Sequence, residues 1–149
     1  MVRRLSEEKA RYIAETHQDA LIIGSDQAAE CSGTLLGKPG TRKIAEQQLM
    51  MMSGKSLVFH TGLCVFNSNT QKLETAVIDY SVTFRKLTEN DINHYLDKEQ
   101  PFNCAGSFKS EQLGISLVEK MEGDDPTSLI GLPLICLCQM LRQQGITLP

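Results

Sequence analysis

The sequence predicts an α/β fold with a mixed central β-sheet flanked by helices. Segments of helical and strand periodicity alternate along the chain. Residues 56–66, SLVFHTGLCVF, are apolar on both faces, as in a central strand. Residues 73–85 alternate cleanly: Ala76, Ile78, Tyr80, Val82 and Phe84 face one way, and Thr75, Asp79, Ser81, Thr83 and Arg85 the other. The intervening NSNTQ is a turn, so these two strands form an antiparallel pair.

The other elements follow in order. Val2, Leu5, Lys9 and Tyr12 share a stripe at helical spacing, with Ala10 and Ile13 alongside, and predict a helix over 2–16. Lys9 is the polar intruder in that stripe. Residues 20–24 predict a short buried strand, which leaves Asp26 just past its end. ECSGTLL predicts two short strands around a Ser32–Gly33 turn, and GKPGT a loop. Thr41 caps a helix over 42–53 whose core stripe is Ala45, Leu49 and Met52, with Gly54 to end it. Thr88 caps the next helix, with Asp91 at its third position and Ile92, Tyr95 and Leu96 facing in. Residues 100–112 are irregular, GISLVEKMEG reads as a strand, and Pro126 opens a turn of helix. The last helix starts at Pro133, carries a Leu134, Leu137, Cys138, Leu141 stripe and ends at Gly145.

Bulk properties narrow the class. The 149 residues predict a single domain over 1–149. A net charge of −3 gives no general affinity for a nucleic-acid polymer or an anionic membrane. The longest apolar stretch, LIGLPLICLC, is broken by Pro133 and falls short of the ~20 residues a membrane span needs. MVRRLSEEKARY has no apolar core behind its charges, so it is no secretory signal, and a cytoplasmic protein is expected. Cys31, Cys64, Cys104, Cys136 and Cys138 show no CxxC spacing and read as reduced thiols. His17, His60 and His94 form no zinc pattern, and Walker, GxGxxG and GxSxG motifs are absent.

Three places could carry chemistry. Asp26, beyond a buried strand, suits a general base or a metal ligand, although turn formation explains it more simply. Lys9 and Lys38 near a carboxylate would suit a phosphate ligand with a divalent metal; solvated side chains are the plain alternative. CAGSFKSEQLG offers a loop of small residues, Gly106, Ser107 and Ser110, with Lys109 and Glu111 of opposite charge. Glu111 could accept from the ring N–H groups of a base, or simply form an exposed ion pair.

Taken together and in order, EKA at 8–10, IIGSDQ at 22–27, GKP at 37–39, HTGLCVF at 60–66, CAGSFKSE at 104–111 and GLPL at 131–134 resemble the Maf family of nucleoside triphosphate pyrophosphatases. Gln27 and the GSFKSE loop look most like its 7-methyl-GTP branch. The resemblance covers essentially the whole chain. It implies a two-lobed architecture, similar to inosine triphosphatase, around a cleft. It also implies a hydrolase that splits a nucleoside triphosphate between its α and β phosphates, releasing the monophosphate and pyrophosphate. By the same resemblance Asp26 is the catalytic carboxylate and a ligand for magnesium or manganese. Lys9 and Lys38 contact phosphates, Gln27 and Glu111 bear on base choice, and Ser107 and Lys109 contact substrate. A carboxylate at Glu111 suits 7-methylguanine, a cation that keeps its N1–H and N2–H donors.

The family begins with a strand, a loop of the form S-x-S-P-x-R-R and an acidic pair. This sequence begins inside the following helix, so the resemblance implies an N-terminally truncated domain whose first strand is missing. The exposed sheet edge this would leave makes a homodimer one way of covering it. A nucleotide-binding module with impaired catalysis, or a fragment, stays open beside the enzyme.

Overall fold

The computed structural model describes residues 1–149. Four helices, α1 (Val2–Ala14), α2 (Arg42–Met52), α3 (Glu89–Glu99) and α4 (Leu134–Gln143), accompany five strands. These are β1 (Leu21–Cys31), β2 (Thr34–Leu36), β3 (Ser56–Asn67), β4 (Leu73–Phe84) and β5 (Val118–Glu122), in the spatial order β2-β1-β3-β4-β5. The α/β class stands, with the sheet antiparallel rather than mixed. Ala29 faces Leu36 while Cys31 faces Thr34, and Ser81 faces Glu122 while Thr83 faces Lys120. Between β3 and β4, Ser56 meets Thr83 and His60 meets Asp79, so numbers rise on one strand as they fall on the other. β1–β2 and β3–β4 are hairpins, α2 carries the chain from β2 to β3 on the other side of β1, and α3 lies between β4 and β5. No helix is long and apolar enough to cross a membrane.

The chain divides into two compact units. The first comprises Met1–Gln27, His60–Asp79 and Asp124–Pro149. Here β3 is buried on both sides by alternation. Cys64 and Phe66 pack with Ala10 of α1 and Ile22, while Leu63 and Val65 pack with Leu137 and Met140 of α4. The buried stripe of α1 is Val2, Ser6 and Ala10, not the expected Val2, Leu5, Lys9, Tyr12; Tyr12 is 72% exposed. Two glycines cause the difference. A methyl group on Gly24 would overlap the Ser6 carbonyl, and one on Gly62 would overlap the Val2 carbonyl. With no Cβ on the sheet, the helix backbone comes into direct contact with it, and only small side chains fit the seam. In α4 the buried residues are Leu137 and Met140, while Leu134, expected in the stripe, is half exposed.

The second unit comprises Ala28–Phe59 and Tyr80–Gly123. Its core gathers Leu49, Met52, Leu57, Val82, Phe84, Leu96 and Leu117, with Phe108 edge-on to Phe84 at 5.1 Å between ring centres. Ser32 (φ 50°) and Gly33 (φ 80°) make the tight turn between β1 and β2. Thr88 and Asp91 form a reciprocal cap on α3, Thr88 Oγ1 accepting from the Asp91 N–H at 3.1 Å and Asp91 Oδ2 from the Thr88 N–H at 2.8 Å. GISLVEKMEG is shared between a 3-10 turn over Leu113–Leu117 and β5.

Arg85 grips Asp91 with two N–H groups at 2.9 and 3.1 Å. Those bonds, then the ones from Thr88, hold the Asp91 carboxyl well below the usual carboxylate range. A depressed folded pKa means stability that is present above the unfolded value, about 4, and lost as pH falls through the folded one. The urea midpoint of Asp91→Asn is therefore expected below that of the unsubstituted protein at pH 7, the gap narrowing below about pH 4. A gap that is flat with pH would contradict this.

Candidate functional site

Asp26 does not lie beyond a strand, as the apolar run ending at Gly24 suggested. β1 continues through it to Cys31, and alternation sends its side chain to the α1 side. There Lys9 Nζ donates to Asp26 Oδ1 at 2.7 Å and to the Ser25 carbonyl at 3.0 Å. The Asp26 side chain is 17% exposed and that of Lys9 57%. A carboxylate this sheltered requires a partner, and Lys9 supplies one while leaving its own flank to solvent. The lysine is not inward-facing, as its place in the apolar stripe suggested; it reaches along the sheet. Its reach depends on the close helix–sheet seam at Gly24 and Gly62.

Ser25 and Gln27 project from the opposite face, toward the 3-10 turn Pro126–Ile130. Ser25 Oγ lies 2.6 Å from the Gly131 carbonyl and 2.9 Å from that of Gly62. Gln27 Nε2 lies 2.7 Å from the Ser128 carbonyl, 3.2 Å from that of Leu129 and 3.1 Å from Thr61 Oγ1. Thr61 Oγ1 itself donates to the Ser128 carbonyl at 2.9 Å. Asp125, 3% exposed, anchors the turn. One of its oxygens accepts from Thr127 N and Oγ1, and the other from Ile135 N and Cys136 N at the start of α4. Sequence reasoning did not single out Asp125, Thr61 or Ser128. The one local signal was an Asp just before Pro126, the usual opening of a helical turn.

The remaining candidates belong to the second unit. Lys38 is exposed on a loop pinned at both ends. Gly40 N donates to the Phe102 carbonyl at 2.9 Å, and Gly106 N to the Gly37 carbonyl at 3.3 Å. Gln48 of α2 reinforces the second tie, donating to the Gly37 carbonyl at 3.1 Å and accepting from Ser107 Oγ at 2.5 Å. Gly106 (φ 64°) and Ser107 (φ 55°) are consecutive left-handed residues, a strained backbone for the serine. Ser107 is fully buried, and its hydroxyl locks the loop. Tyr95 adds a clamp: its hydroxyl donates to the Ser107 carbonyl and accepts from Lys109 N, both at 3.1 Å. Burial pushes that phenol above its ordinary value, which keeps the donor proton in place.

The Lys109 ammonium lies 3.3 Å from Glu99, whose side chain is 3% exposed, and 3.1 Å from Gln112 Oε1. Lys109 thus neutralises a buried carboxylate. Glu111 is exposed, and Ser110 Oγ lies 3.4 Å from its carboxylate. Burial raises the Cys104 thiol, Glu111 and Glu99 raise it further, and Lys109 and Lys38 oppose this.

No three His, Cys, Asp or Glu side chains converge to hold a metal. Asp26 is the one carboxylate beside Lys9. Magnesium uses one or two carboxylates, waters and substrate phosphates, so this donor set suits an ion that arrives with a phosphate ligand.

The family model described as "Maf-like protein" matches residues 1–144. The 7-methyl-GTP pyrophosphatase of Methylobacillus flagellatus is 54% identical over 143 residues, 96% of this chain and 74% of that protein. Those of Idiomarina loihiensis and Colwellia psychrerythraea are 52% and 53% identical, over 98% of this chain and 75% and 73% of theirs. With a match over nearly its whole length, and relatives half identical to it, the chain belongs to the Maf-like protein family.

Proposed function

We propose that this chain is a nucleoside triphosphate pyrophosphatase, with 7-methyl-GTP as its preferred substrate. The reading rests on the identity of about half to relatives bearing that name, over almost the entire chain. Chemically, Asp26 takes the proton of the water that attacks the phosphoanhydride. The Lys9 ammonium, half exposed beside it, meets phosphate oxygen and offsets charge as the bond breaks. Lys38 offers a second cation to the phosphates. Glu111, exposed and lightly held, accepts from N1–H and N2–H of the base, and the positive charge of 7-methylguanine strengthens the contact. A magnesium or manganese ion brought with the triphosphate would neutralise part of its charge, with Asp26 the carboxylate at hand to share it. A cytoplasmic protein with no nucleic-acid polymer as partner goes with this reading, in keeping with a net charge of −3.

Pyrophosphate release from 7-methyl-GTP and GTP, with magnesium or manganese present, tests this. The 7-methyl compound is expected to be the better substrate by kcat/KM. Glu111→Gln is expected to cut that preference by roughly tenfold, the worth of one charge-assisted bond. Failure to release pyrophosphate from any nucleoside triphosphate would overturn the proposal; an unchanged preference in Glu111→Gln would remove Glu111 from base choice.

A further inference from the structure

Lys38 and Glu111, the two exposed charges assigned above to phosphate and base, sit on different loops of the second unit. We propose that Gln48 is the positioning residue that sets their spacing, so that one amide on α2 governs both the grip on phosphate and the choice of base. The inference rests on the roles proposed above for Lys38 and Glu111.

Gln48 stands on a fixed element. Ala45, Leu49 and Met52 of α2 are fully buried, and Thr41 caps the helix. The chemistry of its two partners orients the amide. The Gly37 carbonyl can only accept, so Nε2 faces it at 3.1 Å, which leaves Oε1 for the Ser107 hydroxyl at 2.5 Å. An aliphatic side chain could make neither bond, and a carboxylate only the second. The direct bond between the two loops, from Gly106 N–H to the Gly37 carbonyl, is longer than either, at 3.3 Å.

Toward Lys38 the path is short. Gly37 is held by its carbonyl and Gly40 by its N–H, and Pro39 between them is buried. The backbone that carries Lys38 is thus fixed on both sides while the lysine stays exposed. Toward Glu111 the path is a chain of hydrogen bonds. The Ser107 carbonyl accepts from the Tyr95 hydroxyl, and that hydroxyl accepts from Lys109 N–H. The Lys109 carbonyl accepts from Gln112 N–H at 3.4 Å, closing the turn on which Glu111 sits. Ser107 does not hold its place unaided, because its positive φ of 55° disfavours a serine. Gly106 before it is seated on the core, where a Cβ would stand 3.4 Å from Leu57 and 3.7 Å from Met52. Side chains held in this way by packing and hydrogen bonds are what keep binding groups at a productive spacing.

Gln48→Met keeps the length and removes donor and acceptor together. Its KM for 7-methyl-GTP is expected to rise by about fivefold or more. Its kcat is expected to stay within about threefold, because the bond between Lys9 and Asp26 involves none of these residues. The 7-methyl-GTP to GTP ratio of kcat/KM is expected to fall by about fivefold, since the Glu111 carboxylate remains but loses its place. In the unliganded protein, hydrogen exchange at the Gly106 and Lys109 amides is expected to quicken by about tenfold or more, while the amides of β4 hold. Ser107→Ala removes one of the two bonds and serves should Gln48→Met fail to fold. It is expected to act in the same direction, and the double variant to match Gln48→Met alone. A lowered melting temperature with KM and the ratio unchanged at 25 °C would mark a purely structural residue and overturn the proposal. So would a loss confined to kcat. Unchanged exchange at both amides overturns it whether or not any nucleotide is hydrolysed. Inactivity of the unsubstituted protein, in contrast, bears on the proposed function alone.

Discussion

Asp26→Asn is expected to lower turnover by about 10²–10⁴-fold, the usual contribution of a positioned general base, while leaving the fold intact. The amide has nearly the same shape and still accepts a hydrogen bond from Lys9 through its oxygen. It cannot take up a proton from water at neutral pH. The structural cost is small because Lys9 is more than half exposed, and pairs of that kind contribute at most about 1 kcal/mol. Pyrophosphate release and a thermal melt on the same preparation separate the two effects. Turnover within about tenfold of the unsubstituted protein would remove Asp26 from the chemistry.

The second large effect involves no chemically active side chain. Gly24→Ala is expected to destabilise the protein by about 1–3 kcal/mol, or several degrees in Tm, and to lower activity in the folded fraction as well. The added methyl group overlaps the backbone carbonyl of Ser6 and stands 3.1 Å from Ala10 Cβ, so a side-chain rotation cannot relieve it. The helix itself has to move. Lys9 moves with it, and its 2.7 Å contact with Asp26 is lost. Gly37→Ala is the matched control: nothing lies within 4 Å of the new methyl group, and both stability and activity are expected to hold. A Gly24→Ala protein with an unshifted melt would show the seam to be looser than described.

The contrast between these glycines explains how much could be read in advance. Elements defined by neighbours in sequence were legible. Thr41 and Thr88 cap their helices as expected, and β4 alternates as expected, because caps and pleats are local. The length of β1 was not legible. Gly24, Ser25, Asp26 and Gln27 look like an exit from a strand, yet each polar group is satisfied by a residue far along the chain: Lys9, Gly62, Gly131 or Ser128. The buried stripe of α1 was misplaced for the same reason, since the glycines that choose it lie on other elements. At the site, the order of short motifs brought Asp26, Lys9, Lys38 and Glu111 forward. It could not divide the 104–111 loop into exposed and internal residues. Ser107 and Lys109 are spoken for by Gln48 and Glu99, whose partnership no spacing reveals.

Gln48 has a consequence for anyone seeking to change which base is accepted. One end of its amide holds the Gly37 carbonyl and the other the Ser107 hydroxyl, so the lysine loop and the glutamate loop share a keystone beside their direct Gly106–Gly37 bond. Exchanging residues 104–111 alone for those of another specificity would leave that keystone without its mate, and the left-handed Gly106–Ser107 pair without its brace. A transplant is therefore expected to need residues 37–40, position 48 and residues 102–111 moved together.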